Sequence, residues 1–301
     1  MKILVTGSRG FLGTHLICKL RKDGHEVIAF TRNEGDLCDS DALNSYSGID
    51  YVYHLAARTY VPDSWKESHK FFRENIMTTA TVLEFCRNNG CAVSLMSTYV
   101  YGEPRYLPID ENHPVCAMSP YHETKLICES MGSFYSRTFS LPVTVFRPFN
   151  IYGKGQSNSF LIPKILRQLM DKDVKEIAVM DLAPKRDYVY IDDVIEILAQ
   201  ACVQNPSGFE VYNIGSGVSN SVRDVISTAI EVTGICKPYF ETGEIRVGEI
   251  SDSVADMKKT ITRFNVDSLR SLEQGLTDWM LKEFPDVVTT HNDNKCLLTE
   301  I

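Results

Sequence analysis

Gly7, Gly10 and Gly13 stand at intervals of three directly after the β-branched apolar run 2–6, and they open the stretch 11–22, where Leu12, Leu16 and Leu20 recur at spacing four. A core strand, a glycine turn and an amphipathic helix in immediate succession leave few options for the rest of the chain. Gly7 permits a tight turn and Gly10 lets the backbone approach a pyrophosphate. Gly13 allows close helix–strand packing, and the helix N-terminus faces the negative charge. The same spacing without a ligand would be a bare βα turn. Placed between a strand and a helix, the loop points to a dinucleotide, with Arg9, Phe11 and Leu12 beside the three glycines as cofactor contacts.

The pattern that follows agrees. Short apolar runs at 27–30, 51–55, 93–96 and 143–146 alternate with helical stretches at 74–88 and 120–137. Such alternation implies βαβ units and a parallel sheet, with right-handed crossovers giving a doubly wound, Rossmann-type α/β fold. After residue 148 the pattern loosens into a turn-rich loop at 153–159, a helix at 160–170, a strand-helix unit at 186–203 and a strand at 210–214. The expected division is a Rossmann domain over 1–152 with returning segments about 189–215, a smaller mixed α/β substrate domain over 153–188 and 216–285, and a flexible tail over 286–301.

Composition narrows the class. Lys and Arg total 31 against 39 Asp and Glu, a net charge of −8, so no basic footprint for nucleic acid is present. The nine cysteines are scattered and form no Cys-x-x-Cys pair, which reads as buried thiols in a reducing cytosol. No apolar run approaches about 18 residues. The expectation is a cytoplasmic protein without a membrane segment. No metal site is read either: Asp192-Asp193 opens a helix and suits N-capping.

The residues closing the second strand bear on the cofactor. An NAD enzyme usually carries an acid there for the ribose 2′-hydroxyl. Here the run ends Ala29-Phe30-Thr31-Arg32, with no acid until Glu34. A hydroxyl and a guanidinium suit a 2′-phosphate, and Arg9 adds a second charge, so NADP is favoured over NAD.

Three chemically active groups fall at the ends of later strands. The fourth run ends in Ser97-Thr98-Tyr99, and the next helix carries Tyr121 and Lys125, four apart on one face. A phenol titrates near 10 in isolation. A neighbouring ammonium favours phenolate, which makes Tyr121 a usable acid/base with Ser97 steadying the same substrate oxygen.

With these motifs in place, the chain resembles the extended short-chain dehydrogenases/reductases of the NAD-dependent epimerase/dehydratase family, which modify nucleotide-diphosphate sugars. The resemblance covers about residues 1–260 and includes His54-Leu55-Ala56-Ala57, Pro120-Tyr121-x-x-x-Lys125, Arg147-Pro148-Phe149-Asn150-Ile151-Tyr152-Gly153 and the runs 186–194 and 212–217. It implies that Asp36 and Leu37 meet the adenine and that Leu55, Ala56 and Ala57 line the cofactor. Lys125 would also hold the nicotinamide ribose, and Asn150 and Arg186 would grip the substrate pyrophosphate. Ser97, Thr98 and Tyr99 would face the sugar. A homodimer through the helices near 74–88 and 120–137 is implied as well.

Departures from family patterns narrow the reaction. The 4,6-dehydratases place an Asp-Glu pair where this chain has Thr98 and Tyr99. The 3,5-epimerase-reductases place a Cys and a His where it has Tyr99 and Phe160. Two reactions remain that need only Ser, Tyr, Lys and a nicotinamide: reduction of the 4-keto group of a 4-keto-6-deoxy sugar nucleotide, with Tyr121 as proton donor, and 4-epimerisation through a transient ketone on tightly bound NAD. The stretch from 31 to 36 inclines the expectation to the reductase. A non-catalytic NADP-sensing protein is the alternative from another class, and it leaves the survival of Ser97, Tyr121 and Lys125 unexplained.

Overall fold

The computed structural model describes residues 1–204, 207–244 and 249–285. From the N-terminus the chain runs β1 (Lys2–Thr6), α1 (Phe11–Lys22), β2 (Glu26–Phe30), β3 (Tyr51–His54), α2 (Val61–Lys66), α3 (Ser68–Asn89), β4 (Ala92–Met96), α4 (Pro120–Phe139) and β5 (Val143–Pro148). It continues through β6 (Asn150–Tyr152), α5 (Leu161–Met170), β7 (Ile177–Val179), β8 (Lys185–Tyr190), α6 (Ile191–Ala201) and β9 (Phe209–Ile214). The last elements are β10 (Ser219–Ser221), α7 (Val222–Thr233), β11 (Tyr239–Glu241), α8 (Lys258–Phe264) and α9 (Leu272–Glu283).

Six strands form one parallel sheet in the order β2-β1-β3-β4-β5-β9. Strand alternation sends Leu4, Val52, Val93 and Val145 to one face, where Val82, Leu83 and Phe85 of α3 cover them. Ile3, Val5, Tyr51 and Tyr53 point to the other face, against Leu16 and Leu20 of α1 and Leu198 of α6. The Tyr53 hydroxyl donates to the Leu198 carbonyl at 2.6 Å, which ties the returning α6 to the sheet. The sequence order reverses between β1 and β3, and open α/β sheets bind their ligands at the carboxyl ends of strands beside such a switch point.

The second half adds a small sheet of its own. Asn150–Tyr152 and Tyr188–Tyr190 pair with each other in a separate three-stranded sheet, β10-β8-β6, rather than completing the main one. The expected boundary at 152/153 falls at the margin of this small sheet and that at 188/189 inside it, while α6 and β9, within the segment 189–215, return to the parallel sheet. One buried cluster runs from Ile3 and Leu16 through Ile177 and Val189 to Trp279 and Met280. Asp192 and Asp193 do not cap α6: Asp193 is paired with Arg270 and Asp192 with Lys282, so both fasten α9 and the segment before it. The tail expected at 286–301 lies outside the described residues. Among the described residues no helix is long and apolar enough to cross a membrane.

Candidate active site

The glycine loop is shaped by backbone approach. Gly7 adopts φ +64°, in the left-handed region, and a Cβ there would lie 2.7 Å from the Ala56 nitrogen. A Cβ on Gly13 would lie 2.3 Å from the Gly7 carbonyl oxygen. Helix α1 then starts from Gly10 with no side-chain cap and no acid in its first turn, so its leading N–H groups stay open to an anion. A cradle that side chains would fill, against an uncapped helix start, fits a dinucleotide pyrophosphate. Gly13→Ala is accordingly expected to weaken cofactor binding at least about tenfold and to destabilise the fold by about 1–3 kcal/mol. Cofactor titration with thermal unfolding reads both, and unchanged affinity would contradict the packing argument.

At the end of β3, His54 is buried between Thr6 (2.9 Å from Nδ1) and Thr79 (3.1 Å from Nε2). The Thr6 hydroxyl accepts from the Ala56 N–H and Thr79 donates to the Asn75 carbonyl, so Thr6 donates to Nδ1 and the ring carries its proton on Nε2. Burial, with Lys125 nearby, depresses the His54 pKa to about 3. His54 is thus a neutral brace that holds Ala56 against the glycine loop.

Around the end of β2, a turn returns Glu34 to Thr31. The Glu34 carboxylate accepts from the Thr31 N–H at 2.8 Å and from its hydroxyl. These bonds hold the Glu34 carboxyl below the usual range. Arg32 is exposed and bonds Glu74 at 3.1 Å, a carboxylate that Arg58 also approaches at 2.9 Å. The hydroxyl and guanidinium expected to meet a 2′-phosphate are therefore already engaged with acids, and a carboxylate stands among them. Asp36 accepts from the Cys38 N–H within its own turn, beside buried Leu37.

The reacting centre lies on α4 and the end of β4. Ser119 caps α4, its hydroxyl accepting from the His122 N–H, and Pro120 occupies the first helical position. Tyr121 and Lys125 are both buried. The Lys125 ammonium donates to the Met96 carbonyl at 2.7 Å and lies 5.9 Å from the centre of the Tyr121 ring. Burial dominates both groups. It lifts the Tyr121 phenol to about 12, against a downward pull from the Thr98 hydroxyl, and it lowers the Lys125 ammonium. The expected lowering of the phenol by Lys125 is thus reversed, because desolvation of the phenolate outweighs an ammonium whose own charge is committed to a carbonyl.

Ser97 is directed elsewhere than expected. Its buried hydroxyl donates to the Glu129 carboxylate. Tyr99 is turned into an aromatic cluster with Tyr101 and Phe149, and its hydroxyl donates to the Gly102 carbonyl at 2.7 Å. Glu129 is clasped by Arg147, with NH2 to Oε2 at 2.6 Å and Nε to both oxygens at 3.1 and 3.2 Å. Burial opposes the Arg147 charge, but Glu129 and the Tyr101 hydroxyl outweigh it. Sequence reasoning assigned neither Glu129 nor Arg147 a place in the site. The legible signal was position: Glu129 follows Tyr121 and Lys125 at one further step of four. Asn75 was missed as well. Its amide clamps Arg58 N–H (2.8 Å), the Arg58 carbonyl (3.1 Å) and Thr124 (2.9 Å), joining the loop after β3 to both helices.

Asn150 and Arg186 sit on neighbouring strands β6 and β8. Asn150 is exposed, whereas Arg186 pairs with Glu249 and donates to the Ile250 carbonyl. Tyr60 and Phe160 meet edge-to-face at 6.4 Å, and His15 of α1 bonds the Lys154 carbonyl at 2.9 Å, so the loop before α5 reaches both the glycine-loop helix and the loop before α2.

Comparison with known proteins gives consistent matches. Residues 3–215 match the model of the NAD dependent epimerase/dehydratase family. A UDP-glucose 4-epimerase of Lactobacillus helveticus is 29% identical over 299 residues, covering 87% of this chain and 90% of that protein. The solved structure of MoeE5 in complex with UDP-glucose and NAD superimposes with a TM-score of 0.83 at 29% identity, covering 94% of this chain and 99% of that one. RMD from Pseudomonas aeruginosa, complexed with NADPH, gives 0.83 at 25% identity, covering 93% and 99%.

Proposed function

Because the chain belongs to the NAD-dependent epimerase/dehydratase family of nucleotide-sugar enzymes, we propose that it is a UDP-hexose 4-epimerase working on bound NAD. The observation that carries this reading is the residue set at the reacting centre. Ser97, Tyr121 and Lys125 are present, while Thr98 and Tyr99 stand where a dehydratase needs carboxylates. The names of its relatives, among them the Lactobacillus helveticus 4-epimerase, support epimerisation over the reduction that the sequence inclines to.

In this reading Tyr121, in its phenolate form, takes from the sugar O4 the proton that the hydroxyl otherwise shares with Ser97, and later returns it, while Lys125 orients the cofactor ribose. Gly7, Gly10 and the start of α1 hold the cofactor pyrophosphate, with Ala56 and Ala57 alongside. Asn150 and Arg186 take the substrate diphosphate, Arg186 exchanging Glu249 for it. When bound, the nicotinamide supplies a hydride acceptor and donor at C4. Both sugar faces are served by one phenol because the ketone can turn between the two transfers.

The reading is tested by incubating the protein with UDP-glucose or UDP-galactose and NAD, and separately with a 4-keto-6-deoxy sugar nucleotide and NADPH. Interconversion of the hexoses without net redox change is expected. Loss of the reduced-nicotinamide absorbance in the second incubation, with no interconversion in the first, would replace it with the 4-ketoreductase reading, which Arg9 and Arg32 beside the β2 end favour.

NAD is proposed over NADP because Glu34 confronts any 2′-phosphate with a carboxylate. Glu34→Ala should shift the NADPH-to-NADH affinity ratio about tenfold toward NADPH, roughly 1.4 kcal/mol. Arg32→Ala should weaken NADPH alone. Fluorescence titration with both cofactors reads the ratio, and no shift in Glu34→Ala would remove Glu34 from cofactor selection.

A further inference from the structure

Ser97 ends β4 with its hydroxyl hydrogen aimed inward, at a carboxylate fixed by a buried guanidinium. An ionised carboxylate offers only lone pairs, so in this contact serine must be the donor. Its single hydrogen is then committed, and only its oxygen lone pairs remain for anything outside. The commitment is stiff. Arg147 holds both Glu129 oxygens and also bonds the Tyr101 hydroxyl at 3.2 Å. Tyr101 donates to Asn213, whose amide donates to the Ile109 carbonyl at 2.9 Å and whose N–H bonds Glu111 at 2.8 Å. Ser97, Glu129, Arg147, Tyr101 and Asn213 are all buried. Rotating the carboxylate would break several bonds at once.

We propose that Glu129 is a positioning residue that fixes the polarity of Ser97, making it a hydrogen-bond acceptor for a sugar hydroxyl and unable to donate to a sugar ketone. The inference rests on the nucleotide-sugar reading given above and sharpens it. A site whose serine only accepts holds the C4 alcohol from Ser97 and leaves donation to the ketone to Tyr121 alone. It therefore binds the resting hydroxyl sugar in preference to the oxidised form.

The geometry supplies a substitution that inverts this polarity without removing volume. In Glu129→Gln, the amide oxygen belongs where Arg147 NH2 makes its shortest contact, at the Oε2 position, 2.6 Å away. The amide nitrogen then occupies the Oε1 position beside Ser97 and donates to its oxygen, while Arg147 Nε gives up its 3.1 Å bond at that position and keeps the one to the Oε2 position at 3.2 Å. The serine hydrogen is released toward the substrate.

The test measures binding to the NAD-loaded protein of two probes that differ only at C4, UDP-6-deoxyglucose and UDP-4-keto-6-deoxyglucose. Wild type should favour the hydroxyl probe. In Glu129→Gln the ketone probe gains a donor that it lacks in wild type, whereas the hydroxyl probe, able to accept as well as donate, keeps a partner, so the affinity ratio should move toward the ketone by about three- to tenfold. A purely structural role would weaken both probes together and leave the ratio in place, and an unmoved ratio overturns the proposal. Ser97→Ala provides an arm that leaves the Glu129–Arg147 pair intact and decides the matter if Glu129→Gln does not fold. It should weaken the hydroxyl probe about fivefold or more and spare the ketone, whereas equal weakening would mean that Ser97 donates and would overturn the assignment. If neither probe binds wild type, the nucleotide-sugar reading falls and this inference with it. If both bind but UDP-hexoses do not interconvert, only the epimerase reading falls and the ratio still decides the role of Glu129.

Discussion

Tyr121→Phe lowers turnover by at least about 100-fold while cofactor affinity stays close to wild type. The magnitude is the usual one for loss of a positioned acid/base. The separation of the two effects follows from the structure. The Tyr121 ring packs edge-to-face on Phe71 at 6.4 Å, a contact that phenylalanine keeps. Lys125 is held by the Met96 carbonyl and not by the phenol, so the proposed ribose contact survives. The variant loses only the hydroxyl, beside Thr98. Burial holds that hydroxyl protonated well above neutral pH, with a pKa pushed up to about 12. As a donor it is therefore always charged with its proton. As a base it is limited by the small phenolate fraction, which grows tenfold per pH unit below its pKa. Oxidation at C4 should accordingly accelerate as pH rises through neutrality, and Tyr121→Phe should abolish that rising limb. Steady-state assays across pH read both, and a Phe variant with full activity or an unchanged limb would remove Tyr121 from the chemistry.

The parts of the site that were legible in the sequence are those carried by contiguous spacing. Gly7, Gly10 and Gly13 between a strand and a helix specify a backbone approach that only glycine permits, and Tyr121 with Lys125 specifies one helical face. Contacts made by turns or by partners distant in sequence were not legible. Glu34 looked too far along the chain to reach the end of β2, yet a turn closed by its own N–H to the Thr31 carbonyl at 3.1 Å brings it back. Ser97 was read by its place at a strand end, but what its hydroxyl does depends on Glu129, 32 residues later. Arg186 carried a diphosphate expectation, while its pairing with Glu249 spans 63 residues. The strand pairing of the second half was illegible for a related reason. Tyr188–Tyr190 reads as a core strand from its apolar character alone, and nothing local distinguishes pairing with Asn150–Tyr152 from pairing with β5.

Arg147→Met should destabilise the protein by about 3–5 kcal/mol, the scale for stranding one member of a buried ion pair. In a chain of this size that lowers the melting temperature by roughly 5–15 °C. Both side chains of the pair are 8% exposed, so water can neither screen the contact nor rescue the carboxylate left behind. Methionine reproduces the aliphatic stem of arginine but not the guanidinium, so the loss combines charge and hydrogen bonding with the space the guanidinium leaves. The double variant Arg147→Met, Glu129→Leu removes both charges and should recover part of the loss. Recovery stays incomplete because Ser97 then loses its acceptor and Tyr101 the donor at 3.2 Å, although Tyr101 keeps Asn213. Two polar groups with fewer partners cost about 1–3 kcal/mol each when buried. Denaturant unfolding of the two single variants and the double resolves these contributions. A loss under about 1 kcal/mol in Arg147→Met would show that the pair does not hold Glu129 in place. A double variant fully as stable as wild type would show that Ser97 and Tyr101 do not depend on it. The same network therefore sets both the stability of the α4–β5 contact and the direction in which Ser97 presents its lone pairs.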